Sequence, residues 1–141
     1  MKRFLFRCAV EAPPERVSAF FLDVRNLARV SPPFPRIRVA GDDGRVRIGR
    51  EFVVELDFGV FRRTVRTVIA AMDGQGGFTD ALSVSVMRRW VHTHRFQPNG
   101  TGTVIEDDIT CEPAWWLAPA VGPLLGAMFA YRSRMLRRIF R

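Results

Sequence analysis

The chain has 141 residues, 48% hydrophobic and 26% charged, which suits one α+β domain over 1–141 with a real core and leaves no room for two. Its formal net charge is +8, and all but Lys2 of its 22 basic residues are arginine. That raises nucleic acid or an anionic surface as a partner, but no helix-turn-helix, zinc-ligand spacing or RNP-type aromatic strand aims the arginines at bases, so no specific nucleic-acid binding is expected.

Phe4, Phe6, Cys8 and Val10 alternate with Arg3, Leu5, Arg7 and Ala9, which predicts a first strand ending at Glu11. The same alternation is not an apolar signal core, and no apolar run is long enough to span a bilayer. Ala12-Pro13-Pro14-Glu15 opens a helix with Val17, Phe20 and Phe21 on one face. Asp23 caps a second short helix through Asn26 and Leu27 to about Val30, and Ser31-Pro32-Pro33-Phe34-Pro35 stops it.

Strands follow near 37–40, 52–57, 60–71, 77–82, 88–96 and 103–111, punctuated by turn signals at 41–44, 58–59, 73–76 and 99–100. Such hairpin-like connections predict an antiparallel sheet. A tight turn at Phe58-Gly59 pairs Asp57 with Val60, Glu55 with Arg62 and Glu51 with Arg66, so these arginines read as a solvated sheet surface. Cys8 and Cys111 fall at inward strand positions with no CxxC or His/Cys ligand spacing, which predicts buried thiols in a reducing, cytoplasmic compartment.

The run from Trp90 to Phe96 puts ionisable groups on an apolar face. Trp90, His92, His94 and Phe96 share one side of the strand, and Arg89, Val91, Thr93 and Arg95 the other. A two-residue turn at Asn99-Gly100 sets Phe96 opposite Thr103, His94 opposite Ile105 and His92 opposite Asp107. An inward His/Asp pair is either a satisfied core pair or an imidazole poised for proton transfer or ligand binding. Asp80 and Asp107 beside two histidines could also hold a metal, but only two histidines exist and no third spaced one completes a site, so no metal is expected. Neither a GxxxxGK loop nor a GxGxxG fingerprint occurs, so no cofactor is expected.

The last predicted element is a helix from about Ala120 to Phe140, with Pro123 tolerated in its first turn. Val121, Leu125, Met128, Phe129, Met135, Leu136 and Ile139 form its apolar stripe, and Arg134, Arg137, Arg138 and Arg141 lie opposite. Arg132 falls inside the stripe. It either meets Asp80, Asp107 or a ligand anion, or it snorkels to the edge of the sheet.

The segment Ala12-Pro13-Pro14-Glu15-Arg16-Val17, the Trp90-x-His92-x-His94-x-Phe96 strand, Gly102-Thr103 with Asp107, and Tyr131-Arg132 together resemble the START-related helix-grip superfamily. More narrowly they are similar to its bacterial polyketide cyclase/dehydrase and lipid-transfer group (SRPBCC). The resemblance covers nearly the whole chain. It implies a curved antiparallel sheet of about seven strands wrapped around the C-terminal helix, two short helices after the first strand, and a hydrophobic cavity between sheet and helix. Many relatives carry Gly-Pro-Phe where this chain reads Ser85-Val86-Met87, and an aromatic where it has Cys111, which implies a differently shaped cavity.

Alternation plus the helix stripe then names the expected lining: Phe52, Val54, Leu56, Val65, Thr67, Ile69, Phe78, Asp80, Trp90, His92, His94, Ile105, Asp107, Leu125, Met128, Phe129, Arg132 and Met135. The alternative is a fully packed core around the same residues. Two function classes follow. The first is binding, with or without transfer, of a hydrophobic small molecule such as a lipid or polyketide. The second is a cyclase, aromatase or dehydratase in which His92 or His94, with Asp107, works as general acid–base and Arg132 stabilises an enolate. A third reading docks Trp115 and Trp116, beside Arg134, Arg137, Arg138 and Arg141, weakly on an anionic membrane surface.

Overall fold

The computed structural model describes residues 1–40 and 44–141, so the turn expected at 41–44 lies, for 41–43, outside the described residues. β1 (Lys2–Val10) leads into α1 (Pro14–Phe21), a 3₁₀ turn (Val24–Asn26) and α2 (Leu27–Val30). Then come β2 (Arg36–Ala40), β3 (Glu51–Asp57), β4 (Arg62–Met72), β5 (Phe78–Val84), β6 (Met87–Asn99) and β7 (Gly102–Pro113), and the chain closes with α3 (Ala118–Ile139). The strands form one antiparallel sheet ordered β1-β7-β6-β5-β4-β3-β2.

Pairing of the first strand with the last sends the α1–α2 connection across the sheet to its far edge, so the two short helices lie over one face together with α3. Register shifts at Ile69/Ala71, Leu82/Val84 and Met87/Arg89 each insert an unpaired residue, which bends the strands and increases their twist. The resulting curved sheet wraps α3. Asp23 does cap the 3₁₀ turn, its carboxylate accepting from the Arg25 N–H at 3.0 Å.

Two hairpin registers differ from the sequence reading, each by two residues. At β6–β7 the loop is Gly100-Thr101, so Phe96 pairs with Ile105, His94 with Asp107 and His92 with Ile109. Gly100 supplies a φ of +61° at the first loop position while Thr101 stays at negative φ, the Gly-first pattern of a type II′ turn. At β3–β4 the loop is Phe58-Gly59-Val60-Phe61, closed by the Phe58 N–H on the Phe61 carbonyl and by the Asp57 side chain accepting from the Gly59 N–H. Asp57 therefore pairs with Arg62, not Val60, and Glu51 and Glu55 pair with Val68 and Thr64. The expected ion partners still meet diagonally, Arg62 with Glu55 at 3.9 Å and Arg66 with Glu51 at 3.5 Å. An even slip leaves every side chain on its expected face.

α3 starts two residues before the expected Ala120, because Pro119 is already set for a first turn; this moves Pro123 beyond that turn. Its buried residues are Val121, Leu125, Phe129, Arg132 and Leu136, one stripe at helical spacing. Trp115 and Trp116 are exposed before its start and Arg134, Arg137, Arg138 and Arg141 near its end, about 30 Å apart along the axis, so they do not form the single patch the third reading needs. Among the described residues, no helix is long and apolar enough to cross a membrane.

Apolar packing falls into three clusters. One joins β1, α1 and the end of α3 around Val17, Ile105 and Leu136; a second joins β7 and the start of α3 around Ile109, Cys111 and Phe129; a third joins β3, β4 and β5 around Phe52, Ile69 and Phe78. Cys8 and Cys111 are both buried free thiols.

Gly102 sits where β7 passes β1, and a Cβ there would collide with the Val10 carbonyl oxygen. Gly102→Ala should therefore cost about 1–3 kcal/mol, read as a lower denaturant midpoint at unchanged slope; an unchanged midpoint would mean β1 can give way at that point.

Candidate functional site

β5, β6 and β7 each send alternate side chains to the concave face: Asp80 from β5, His92 and His94 from β6, Asp107 from β7, all buried. Direct register sets Asp80 opposite His92 and Asp107 opposite His94. The hydrogen bonds run diagonally. His92 Nε2 lies 2.8 Å from Asp107 Oδ1, and His94 Nε2 lies 2.9 Å from Asp80 Oδ2. The expected His92–Asp107 contact thus forms, but not by the direct pairing assigned to it, since imidazoles reach diagonal neighbours on a sheet. His94 Nδ1 is also 3.0 Å from Asp107 Oδ1, too far off the N–H axis to count as a hydrogen bond, so this contact is mainly charge on charge.

The network settles its own protonation. Burial disfavours a charge on either imidazole. For His94, contacts with Asp107 and Asp80 outweigh that cost, and its pKa is pushed up to about 9. For His92, burial and the neighbouring His94 charge, with ring centroids 3.9 Å apart, win over Asp107, and its pKa is lowered. Burial would raise both carboxyls, but the hydrogen bonds from the imidazoles and nearby positive charge pull Asp107 and Asp80 below the usual carboxylate range. At neutral pH His94 is the cation and His92 is neutral, donating Nε2–H to Asp107. Its Nδ1 lone pair has no partner among the described residues.

Arg132 comes down from α3 onto this network, 5% exposed. Among the described residues it forms neither ion pair nor hydrogen bond, and its Nε is buried without a partner. It neither snorkels to water nor salt-bridges Asp80 or Asp107. The Phe129 ring lies 4.8 Å from its guanidinium carbon. Burial lowers its pKa, offset in part by the fields of Asp107 and Asp80.

Beside the polar cluster lies a cavity of about 290 Å³. From the sheet it is lined by Phe52, Val54, Leu56, Val65, Thr67, Ile69, Phe78, Asp80, Trp90, His92 and His94, and from α3 by Leu125, Met128 and Arg132. Four residues of the expected lining are elsewhere: Ile105, Phe129 and Met135 pack in the apolar clusters, and Asp107 lies behind the imidazoles. The sequence reading missed the floor, built by Phe20, Phe21, Val24, Leu27 and Val30 of the short helices and by Ile37 and Leu82. The shared face of Val17, Phe20 and Phe21 was the available signal.

The family described as "Domain of unknown function (DUF8410)" matches residues 45–140. The chain belongs to this family. No curated protein sequence matches it. Among solved structures, it is similar to a START superfamily protein from Mycobacterium smegmatis (TM-score 0.76, 14% identity, 98% of this chain and 96% of that one). Protein CV1439 from Chromobacterium violaceum is similarly close (0.75, 17%, 99% and 98%), and so is truncated norcoclaurine synthase from Thalictrum flavum (0.68, 17%, 95% and 92%). The fold of this DUF8410 chain is thus the helix-grip fold of the START superfamily, as the sequence resemblance implied.

Within it, Asp80, His92 and His94 place one potential ligand atom each within 4.8 Å of one another. A metal there could take the free His92 Nδ1, but it would have to displace the His94–Asp80 hydrogen bond and the His94 proton beside a buried guanidinium, so these residues fit an ion poorly. They fit a polar pole of an apolar pocket well: a neutral imidazole acceptor and an unpaired cation, backed by fixed charges.

His94 keeps its proton in the folded chain to about pH 9, whereas an ordinary imidazole loses it near 6.5. The folded state therefore holds an extra proton across that window, and stability should fall as pH rises through it. His92 acts oppositely, costing stability as pH drops below its ordinary range. Urea midpoints should thus peak near neutrality, and His94→Gln should remove the alkaline decline and cost about 3–5 kcal/mol by leaving two buried carboxylates short of a cation. An alkaline slope unchanged in the variant would show that another group carries the proton.

Proposed function

We propose that this chain encloses an apolar small molecule, of the size and character of a short lipid or a polyketide fragment, in the cavity between sheet and α3. The observation that carries the reading is an open, mostly apolar space in an interior that is otherwise close-packed. Its volume, about 290 Å³, lies just below the roughly 300–1,000 Å³ range of drug-sized ligand pockets, which suits a small ligand. A few convergent polar groups at one end of such a lining fix a ligand's orientation. The two buried free thiols fit a protein working in a reducing, cytoplasmic setting.

Nile red, an apolar fluorescent dye, should bind the native chain. Met128→Trp and Val65→Trp, each filling cavity volume at a stability cost of about 1–3 kcal/mol, should abolish that binding while circular dichroism stays native. Undiminished dye binding in both folded variants would place the dye elsewhere.

One observation favours a second reading, catalysis of proton transfer. His92 has its Nε2 held by Asp107 and its Nδ1 free, the arrangement a general base needs. It would take a proton from carbon next to a carbonyl, the C–H electron pair moving into the new C=C bond and the charge arriving on oxygen beside Arg132; cyclisation or dehydration would proceed from that enolate. The norcoclaurine synthase among the similar structures is a carrier of chemistry on this fold. An apolar β-diketone in heavy water should then take up deuterium at that carbon faster with the native chain than in buffer, and His92→Gln should lower the rate by roughly 10²–10⁴-fold. Exchange at the buffer rate would leave binding as the function.

A further inference from the structure

Among the described residues, every charged group of the buried network has a hydrogen-bond or ion-pair partner except one. Asp80 is held by His94, and Asp107 by His92 and His94. Arg132 is left with an aromatic ring beside it, no hydrogen-bond partner among the described residues and its Nε buried. A second buried donor in the lining, Trp90 Nε1, is equally unpaired. Leaving such groups dry costs free energy that the fold recovers only if something supplies acceptor oxygens.

We infer that the cavity selects an acid: Arg132 receives the ionised carboxylate of an otherwise apolar ligand. The proposal deepens the binding reading and rests on it. Arg132 lies in the cavity lining with the Phe129 ring 4.8 Å from its guanidinium carbon, and a guanidinium offers parallel N–H donors that match two carboxylate oxygens. A cationic head group is disfavoured by Arg132 itself. Charge bounds the anion as well. Asp80 and Asp107 already balance Arg132 and the His94 imidazolium, so a singly charged head is tolerated where a doubly charged phosphate adds repulsion without a new cation. The free Nδ1 of His92 can accept a proton as the anion arrives, so the occupied pocket need not carry net charge.

The test compares ligands with one tail and different heads: decanoic acid, decanol, methyl decanoate and decyl phosphate, each displacing Nile red from the native chain at about pH 8, where a free carboxyl is ionised. The acid should bind roughly tenfold or more tightly than the alcohol or the ester, the gain expected of a charge-assisted hydrogen bond in a dry site. Arg132→Met should bring the acid down to the alcohol's affinity and leave the alcohol's unchanged, and Arg132→Lys should keep part of the preference. NMR of decanoic acid labelled at its carboxyl carbon needs no variant, and the bound carbon should show the ionised form at neutral pH. Equal affinity of acid, alcohol and ester, tighter binding of the phosphate, or a neutral bound carboxyl overturns the acid while the apolar cavity stands. If none of the four ligands displaces the dye, the binding reading falls and the acid with it.

Discussion

Two carboxylates on the inner face of a sheet are the constraint to which the rest of the interior answers. An isolated buried carboxylate costs several kcal/mol, so Asp80 and Asp107 can face inward only if positive charge is buried with them. β6 meets that need from the neighbouring strand, because His92 and His94 lie two residues apart on one face and reach both acids diagonally. α3 brings the second cation, Arg132, through the middle of its apolar stripe. Three elements distant in sequence are thus tied by one electrostatic requirement, and removing any single charge leaves the others short.

The same requirement keeps the centre of the molecule from closing. The apolar side chains pack in three clusters around the network, with Phe78 against the His94 ring and Phe129 against His92 and Arg132. The short helices add Phe20, Phe21 and Leu27 from below, which completes a cavity wall without filling the space. A pocket with an apolar body and a charged pole follows from geometry alone.

On the convex face the chain spends its arginines differently. Arg3, Arg7 and Arg95 bridge Asp108 and Glu106 across β1, β7 and β6, with contacts from 2.8 to 3.5 Å. These pairs are largely exposed on the arginine side and contribute little each, about 0–1 kcal/mol. The positive balance of the chain is therefore mostly a property of its wet surface. Arg132 is the exception, and burial is what makes one guanidinium among many chemically distinct.

Periodicity and turn residues were enough to determine the element order, the antiparallel sheet, the inward face of β6 and the odd position of Arg132, because alternation and helical spacing are local properties of the chain. The motif resemblance carried the helix-grip fold, which the solved structures bear out. Registers were not legible: whether Gly100 opens the hairpin loop or closes it is decided by one backbone torsion, and pairings moved by two residues at two hairpins. Nor were the diagonal His–Asp hydrogen bonds, the contribution of α1 and α2 to the cavity, or the missing partner of Arg132. Those depend on distances between β5, β6, β7 and α3, which no local pattern encodes and which packing around two buried charges had to settle.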